Sequence, residues 1–384
     1  MNASGESPSG TSALAGGGDV LLRVENLVKY FPVKSGKLIQ GPRDFVHAVD
    51  DVSLEVRRGE TLGLVGETGC GKSTLARCVT RLYDITSGKI TFDGTDISEI
   101  SARQMRPFRR EIQMIFQDPF GSLNPRRRVG SIIGDPFAIH KTASGQDRKR
   151  RVQELMELVG LNPEHYNRFP AEFSGGQRQR IGVARALAFK PKMIVCDEPV
   201  SALDVSIQAQ IINLLADLQS ELGLTYIFIA HDLSVVRHVS NRVAVMYLGK
   251  VVEQAPVEQL WAQPRHPYSD ALLSAVPVPD LTHIGRERII LVGDVPSPIN
   301  PPSGCRFHPR CPKAGPRCVE EIPEFKPQLG DPAEHLAACH FPVKDGEDIS
   351  LSRPTISEDL RVIETGLVAE VAAGTANLEG SDHV

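Results

Sequence analysis

"TLGLVGETGCGKST", Thr61 to Thr74, is the stretch on which the fold turns. Its first five residues form a brief, unbroken apolar run of the kind found in strands buried on both faces of a sheet. The rest matches G-x-x-x-x-G-K-[ST] at Gly66, Gly71, Lys72 and Ser73, placed after that strand and at the opening of a helix. Gly66, Gly69 and Gly71 allow backbone N–H groups to wrap phosphates, and the helix start adds the positive end of its dipole. Lys72 has the reach for the β- and γ-phosphates, and the Ser73 hydroxyl suits Mg²⁺. Candidate nucleotide-binding residues are therefore Gly66, Glu67, Thr68, Gly69, Cys70, Gly71, Lys72, Ser73 and Thr74. Cys70 fills a variable position as a small side chain. A chance Gly-rich turn is a poor account of so long a motif in this setting.

Working outward, "KMIVCDE" (Lys192–Glu198) and "TYIFIAHD" (Thr225–Asp232) are two more apolar runs that end in polar groups. Such groups are costly in a core without partners. Asp197 is placed to hold Mg²⁺ through water, Glu198 to orient or deprotonate an attacking water, and His231 to contact a γ-phosphate. The carboxyl ends of parallel strands are where open α/β sheets bind ligands. A lone histidine or Asp-Glu pair is more often structural, but strand ends bearing Lys, Asp-Glu and His together point to a nucleotide hydrolase. Between about Val20 and Trp261 short β-branched runs alternate with helical patterns, the mark of a mainly parallel α/β fold. "SIQAQIINLLADL" puts Ile207, Ile211, Leu214, Leu215 and Leu218 on one helical face. Residues 101–180 read as a more helical, charged subdomain beside the sheet.

The bulk numbers exclude several classes. With 384 residues, 41% hydrophobic and 23% charged, the chain has room for more than one domain and a large core. A net charge of −4 gives no reason to expect a nucleic-acid partner; Arg126–Arg128 and Arg148–Arg151 read as solvated faces. No run approaches the ~18 apolar residues of a membrane span. The opening "MNASGESPSGTSALAGGG" has neither basic start nor apolar stretch, so residues 1–19 read as a disordered tail rather than a signal peptide, and a cytoplasmic chain is expected. Residues 346–384 read as a second polar tail, with a weak helix around Leu360–Val371.

With these motifs in place the sequence resembles the ABC ATPases. "FSGGQRQR" (Phe173–Arg180) is similar to their signature motif, with Phe before Ser174 in place of the usual Leu. "FQDP" supplies the Q-loop glutamine Gln117, "SALD" (Ser201–Asp204) the D-loop, and His231 the switch histidine. The resemblance covers roughly residues 20–262, with the motifs in the family's order. It implies a P-loop ABC ATPase domain with a mainly parallel sheet, a helical subdomain and an antiparallel β edge. It also implies adenine stacking on Phe31, with Tyr30 the alternative, and Mg²⁺ held by Ser73, Gln117 and Asp197. Glu198, His231, Gln117 and Lys72 would be catalytic. Ser174, Gly175 and Gly176 precede a helix that opens at Gln177, and present a hydroxyl and free N–H groups to an anion; Gln177 joins them as a candidate nucleotide-binding residue. In the family that site closes on ATP held by an opposite subunit, with Asp204 beside it.

The chain beyond the core points to transport. "QPRHPYSDALLSAVP" (Gln263–Pro277) and "NPPSGCRFHPRCP" (Asn300–Pro312) resemble the C-terminal extension of ATPases from oligopeptide and dipeptide importers. That implies a second, non-identical ATPase, two permease subunits and an extracytoplasmic binding protein, with this chain peripheral on the cytoplasmic face of the membrane. Import of nickel, glutathione or another small solute is the alternative within transport; a soluble ABC ATPase is the alternative outside it. Residues 263–345 read as an irregular Pro- and Gly-punctuated module rather than more sheet. It carries Cys305, Cys311, Cys318 and Cys339, spaced C-x5-C-x6-C-x20-C. Disulfides are disfavoured in a reducing compartment, and a metal site is preferred to free thiols. Zinc usually shows tighter cysteine pairs. In related importer ATPases the pattern goes with a [4Fe-4S] cluster, which is the expectation here with zinc second. His308, His335 and His340 are substitute ligands or, more simply, solvated side chains. Cys78 and Cys196 read as core residues. A cluster would act as a structural staple for a module with few apolar residues of its own.

Overall fold

The computed structural model describes residues 19–33, 44–118, 121–276, 288–328 and 330–350. The Gly/Ser-rich start, Pro119 of "FQDP" and the helix expected around Leu360–Val371 lie outside these residues. The strands are β1 (Val20–Pro32), β2 (Phe45–Arg57), β3 (Thr61–Val65), β4 (Ser87–Phe92), β5 (Thr95–Asp96), β6 (Ile112–Ile115), β7 (Met193–Asp197), β8 (Thr225–Ile229), β9 (Arg242–Tyr247), β10 (Lys250–Pro256), β11 (Phe325–Pro327) and β12 (Leu336–Ala338). The helices are α1 (Lys72–Val79), α2 (Met105–Glu111), α3 (Val129–Ile139), α4 (Gly145–Leu158), α5 (Gly175–Leu187), α6 (Val205–Leu222), α7 (Leu233–Val239), α8 (Val257–Ala262), α9 (Pro267–Ser274) and α10 (Pro316–Glu320).

The central sheet runs β11-β12-β10-β9-β3-β8-β7-β6, and a smaller antiparallel sheet runs β2-β1-β4-β5. β9, β3, β8, β7 and β6 pair in parallel. Every residue of β3, β7 and β8 is buried, as their unbroken apolar runs require. Alternation divides them between two cores. Leu62, Leu64, Val195 and Ile227 face α1 and the small sheet, whereas Val65, Ile194, Cys196 and Phe228 face α3, α5 and α6. Cys78 and Cys196 are fully buried in these cores, as the sequence suggested. On α6, Ile211, Leu215 and Leu218 are buried, together with Ile212, which the helical face drawn from the sequence omits.

Two sequence expectations need correction. Residues 101–180 are not helical throughout, because β6 within them is a parallel strand of the central sheet beside β7. The chain after Trp261 is not free of sheet, since β12 pairs antiparallel with β10 and β11 with β12. These strands are too short, at three residues each, for alternation to show in the sequence. Nor is that region poor in core. Tyr268, Phe307, Cys311 and Ala314 join the same buried cluster as β7 and β8, so packing on the sheet supplies the folding drive that a metal staple was invoked to provide.

Candidate functional site

The loop between β3 and α1 is shaped by glycines that nothing larger could replace. Gly66 has φ +148° and Gly71 φ +109°. A Cβ on Gly66 would come within 2.1 Å of the Met246 carbonyl, and one on Gly71 within 2.1 Å of the Ala48 carbonyl. The loop is thus pressed between β9 and β2. Lys72 is buried and curls back over it, donating to the Gly66 and Glu67 carbonyls at 2.7 and 3.0 Å. Its ammonium therefore sits in the concavity of the loop, where an anion would exchange those carbonyls for its own oxygens. Cys70 is buried with its thiol pKa raised, chiefly by burial.

Around this loop the sheet brings its polar strand ends together. Ser73 Oγ donates to Asp197 Oδ1 at 2.7 Å. Asp197 is only 1% exposed, and burial holds its carboxyl above the usual range despite the Ser73 bond and the Lys72 and Arg77 charges. A buried oxygen pair whose ionised form is this costly fits a hard cation such as Mg²⁺. Glu198 is one residue beyond β7, with φ +47°, a left-handed conformation uncommon outside glycine. Its N–H donates to the Ile229 carbonyl at 3.1 Å. That pins the strained residue to the end of β8. Its Oε2 accepts from Gln117 Nε2 at 2.7 Å and lies 3.7 Å from His231 Nδ1. Lys72, Ser73, Gln117, Asp197, Glu198 and His231 are thus drawn to one edge, as the sequence motifs implied. Gln117 also lines a cleft of about 820 Å³ with Arg77, Phe116, Ile139 and Arg185.

Other predicted residues are held by contacts of their own. Ser174 caps α5 and exchanges hydrogen bonds with Gln177 in both directions, at 3.3 and 3.0 Å. A Cβ on Gly176 would meet Ile207 at 2.4 Å and one on Gly175 would touch Leu203 at 3.2 Å. These glycines let α5 start against α6, where Asp204 is the residue before the helix. Tyr30 stacks on His47 at 4.1 Å and donates its hydroxyl to Asp50 at 2.7 Å; burial and that carboxylate push its pKa up to about 12. Phe31 stands edge-on to Tyr83, 5.6 Å away, with Lys29 over its ring.

Glu67, expected among the nucleotide-binding residues, is gripped by the C-terminal region. Its N–H donates to the Tyr268 hydroxyl at 2.9 Å and its carboxylate accepts twice from Arg310, at 2.8 and 3.2 Å. The reading of the sequence missed Tyr268, Arg306 and Arg310. Arg306 donates to Asp50 and to the Leu248 carbonyl, and Gly249 next to it donates to the Cys70 carbonyl at 2.9 Å. No local spacing signals such pairs, because Arg310 and Glu67 are 243 positions apart.

The four C-terminal cysteines form no disulfide, with Cys311 and Cys318 buried and Cys305 and Cys339 partly so. Burial pushes the Cys305 thiol up to about 11 and Cys339 to about 12, and raises Cys311 too; the neighbouring thiols add to each shift. They therefore lie near one another, but among the described residues no group of three or more His, Cys, Asp or Glu side chains is arranged to hold a metal ion. The expected [4Fe-4S] cluster, and zinc in its place, receive no support. His308 and His335 are buried rather than solvated. His335 Nε2 lies 2.7 Å from Glu253, His308 Nδ1 2.9 Å from the Cys305 carbonyl, and His340 Nε2 2.9 Å from the Glu321 carbonyl.

A glycine-lined loop opening a helix, a buried Ser-Asp pair and a strand-end glutamate define a nucleotide-hydrolysing cassette, the ABC-type ATPase. Comparison with known proteins agrees. Residues 49–201 match the family model described as ABC transporter, and residues 252–318 that of the oligopeptide/dipeptide transporter C-terminal region. The oligopeptide transport ATP-binding protein AppF of Bacillus subtilis is 54% identical over 325 residues, covering 84% of this chain and 98% of the relative. OppF of Salmonella typhimurium, named likewise, is 52% identical, covering 83% and 96%. The dipeptide transport ATP-binding protein DppF of Haemophilus influenzae is 50% identical, covering 80% and 93%. The dimeric structure of MJ0796, a bacterial ABC transporter cassette, superposes with a TM-score of 0.55 at 29% identity, covering 62% of this chain and 98% of that one. The chain belongs to the ATP-binding proteins of oligopeptide and dipeptide ABC transporters. It is an ATPase, using ATP with Mg²⁺. No helix among the described residues is long and apolar enough to cross a membrane.

Proposed function

We propose that this chain hydrolyses ATP to power uptake of di- and oligopeptides through a membrane complex, as the peripheral subunit on its cytoplasmic side. The observation that carries the reading is the Ser73–Asp197–Glu198–Gln117 arrangement at the carboxyl edge of the sheet. The loop Gly66–Thr74 binds the ATP phosphates through the N–H groups that follow Glu67 and through Lys72, and Phe31 stacks on adenine. Tyr30 is already committed through His47 and Asp50, which favours Phe31. Ser73, Gln117 and Asp197 hold Mg²⁺, which when bound neutralises charge building on the phosphates. Glu198 holds the attacking water and takes its proton, and His231 faces the γ-phosphate. A rigid, strained backbone at Glu198 fixes that carboxylate in advance.

The Ser174–Gln177 helix start is a second anion site, packed against α6 and the D-loop. It closes on ATP bound by a partner ATPase, as in a sandwich of two subunits with Asp204 at the seam; the dimeric cassette structure above supports this. The partner is a second, non-identical ATPase, and two permeases and an extracytoplasmic binding protein complete the complex. The cleft beside Gln117, with Phe116 36% and Ile139 65% exposed, suits an apolar permease segment whose movement reaches Glu198 through Gln117. The cysteine module is a separate question: iron, acid-labile sulfide and zinc measured on anaerobically purified chain decide between cluster, zinc and free thiols. Function is tested by complementation. Cells lacking the chain should lose uptake of a labelled tripeptide. The wild-type chain should restore it, and Glu198→Gln, which binds ATP but turns over slowly, should not. Restoration by Glu198→Gln would remove that residue from its role, and undiminished uptake without the chain would overturn the transport reading.

A further inference from the structure

Glu67 occupies the second position of the phosphate loop, yet each polar group it offers beyond its carbonyl is turned away from the cradle. Its amide is used by Tyr268 and its carboxylate by Arg310, in a two-point contact at 2.8 and 3.2 Å. A paired guanidinium–carboxylate contact fixes orientation as well as distance. The groups that grip it are themselves packed into the protein. Tyr268 is wholly buried, its ring 4.7 Å from Tyr247 and 5.3 Å from Phe307. The Arg310 side chain is 9% exposed and lies over the Tyr247 ring at 5.9 Å. Tyr247 is the last residue of β9, so the grip is anchored in the sheet.

The loop needs such an anchor. Gly66, Gly69 and Gly71 all have positive φ, and a loop with three such glycines has little stiffness of its own. Whatever disorder it keeps must be lost when ATP binds, which weakens affinity. Glu67 also places a carboxylate on the phosphate loop itself, on the residue whose carbonyl accepts from the Lys72 ammonium at 3.0 Å. An unpaired negative charge there opposes a polyphosphate; a guanidinium on it cancels the repulsion.

We infer that Arg310 and Tyr268, in the C-terminal region, are positioning residues for ATP, holding the phosphate loop through Glu67 and neutralising its carboxylate. The C-terminal region is thereby part of the nucleotide site of this chain. The inference rests on reading Gly66–Thr74 as the ATP phosphate site, and the experiment separates the two.

The full-length chain in its assembled complex is titrated with a fluorescent ATP analogue, and steady-state hydrolysis is measured alongside. Arg310→Ala should raise the ATP KM about tenfold, the scale of one lost charge-assisted contact, with kcat within about twofold. Arg310→Lys, which keeps the charge, should recover part of the loss. Adding Glu67→Gln to Arg310→Ala should also recover part, because the stranded carboxylate is gone; a purely structural role would not give that rescue. Tyr268→Phe, close to isosteric, should raise KM less, and it decides the matter if Arg310→Ala does not fold. Lys72→Ala is the control: analogue binding that survives it overturns the phosphate-loop reading. Binding lost in Lys72→Ala but unchanged in folded Arg310→Ala and Tyr268→Phe overturns the positioning inference alone.

Discussion

At the nucleotide face, polar side chains gather where the parallel strands stop, around Ser73, Gln117 and Glu198. In the C-terminal region a buried set of them meets partners of opposite charge and backbone groups instead. Glu253, fully buried, accepts from the Arg265 and His266 amides at 2.6 and 2.9 Å and stands 2.7 Å from His335. Arg265 pairs with Asp331 and Asp345. One cluster leaves its chemistry at an edge that a ligand can complete; the other spends its polar groups on joining late chain to early chain. A buried carboxylate with its partners present is a clasp, whereas the raised Asp197 carboxyl, hydrogen-bonded by Ser73, is placed to take a cation.

Breaking the clasp should therefore damage the whole domain, and the largest expected effect is at Phe307. Its ring is 1% exposed and touches Tyr247, Tyr268 and His266. Phe307→Ala should destabilise the chain by about 3–5 kcal/mol. It should shift a single unfolding transition if the C-terminal region and the sheet are one cooperative unit. Two separated transitions in a calorimetric scan would show instead that the C-terminal region unfolds by itself.

A smaller effect sharpens the same contrast through pH. His266 is buried and neutral, its Nδ1 accepting from the Tyr268 amide at 3.1 Å, and burial holds its pKa down to about 3. In the unfolded chain an imidazole titrates near ~6.5. The folded pKa is the depressed one, so stability from this site is intact above about pH 6.5 and falls as pH drops toward the folded value. The loss has a limiting slope of about 1.4 kcal/mol per pH unit. His266→Asn, which keeps an acceptor for the Tyr268 amide, should flatten that slope in urea titrations between neutral and mildly acid pH. An unchanged slope would show that His266 is not the group titrating.

How much of this the sequence disclosed follows from the same division. Gly66–Thr74 is a contiguous motif, and Asp197, Glu198 and His231 end apolar runs, so the site was legible from local pattern. Phe173–Arg180 and Ser201–Asp204 were legible too, each as a short string with its own signature. The grip on Glu67 was not, because Arg310 lies in "HPRCP", where one arginine among prolines and cysteines has no periodicity to place it. β6 was taken for part of a helical stretch, since four residues between α2 and a Pro-rich loop carry too little alternation to outweigh charged neighbours. The cysteines point to a metal through their count, their spacing and a family resemblance, while the packing of Phe307 and Tyr268 that anchors the same region depends on contacts with β9 that spacing cannot show.

The central claim is that ATP turnover at this site drives peptides across a membrane, and a reconstituted system tests it most directly. The chain and the proposed partner ATPase and permeases are placed in lipid vesicles with the peptide-loaded binding protein on the far side, and ATP hydrolysed and peptide accumulated are measured together. Both should rise when loaded binding protein is added, and both should collapse with Glu198→Gln. Hydrolysis that proceeds with no peptide accumulation under any loading, or accumulation that survives the loss of Glu198, would contradict it.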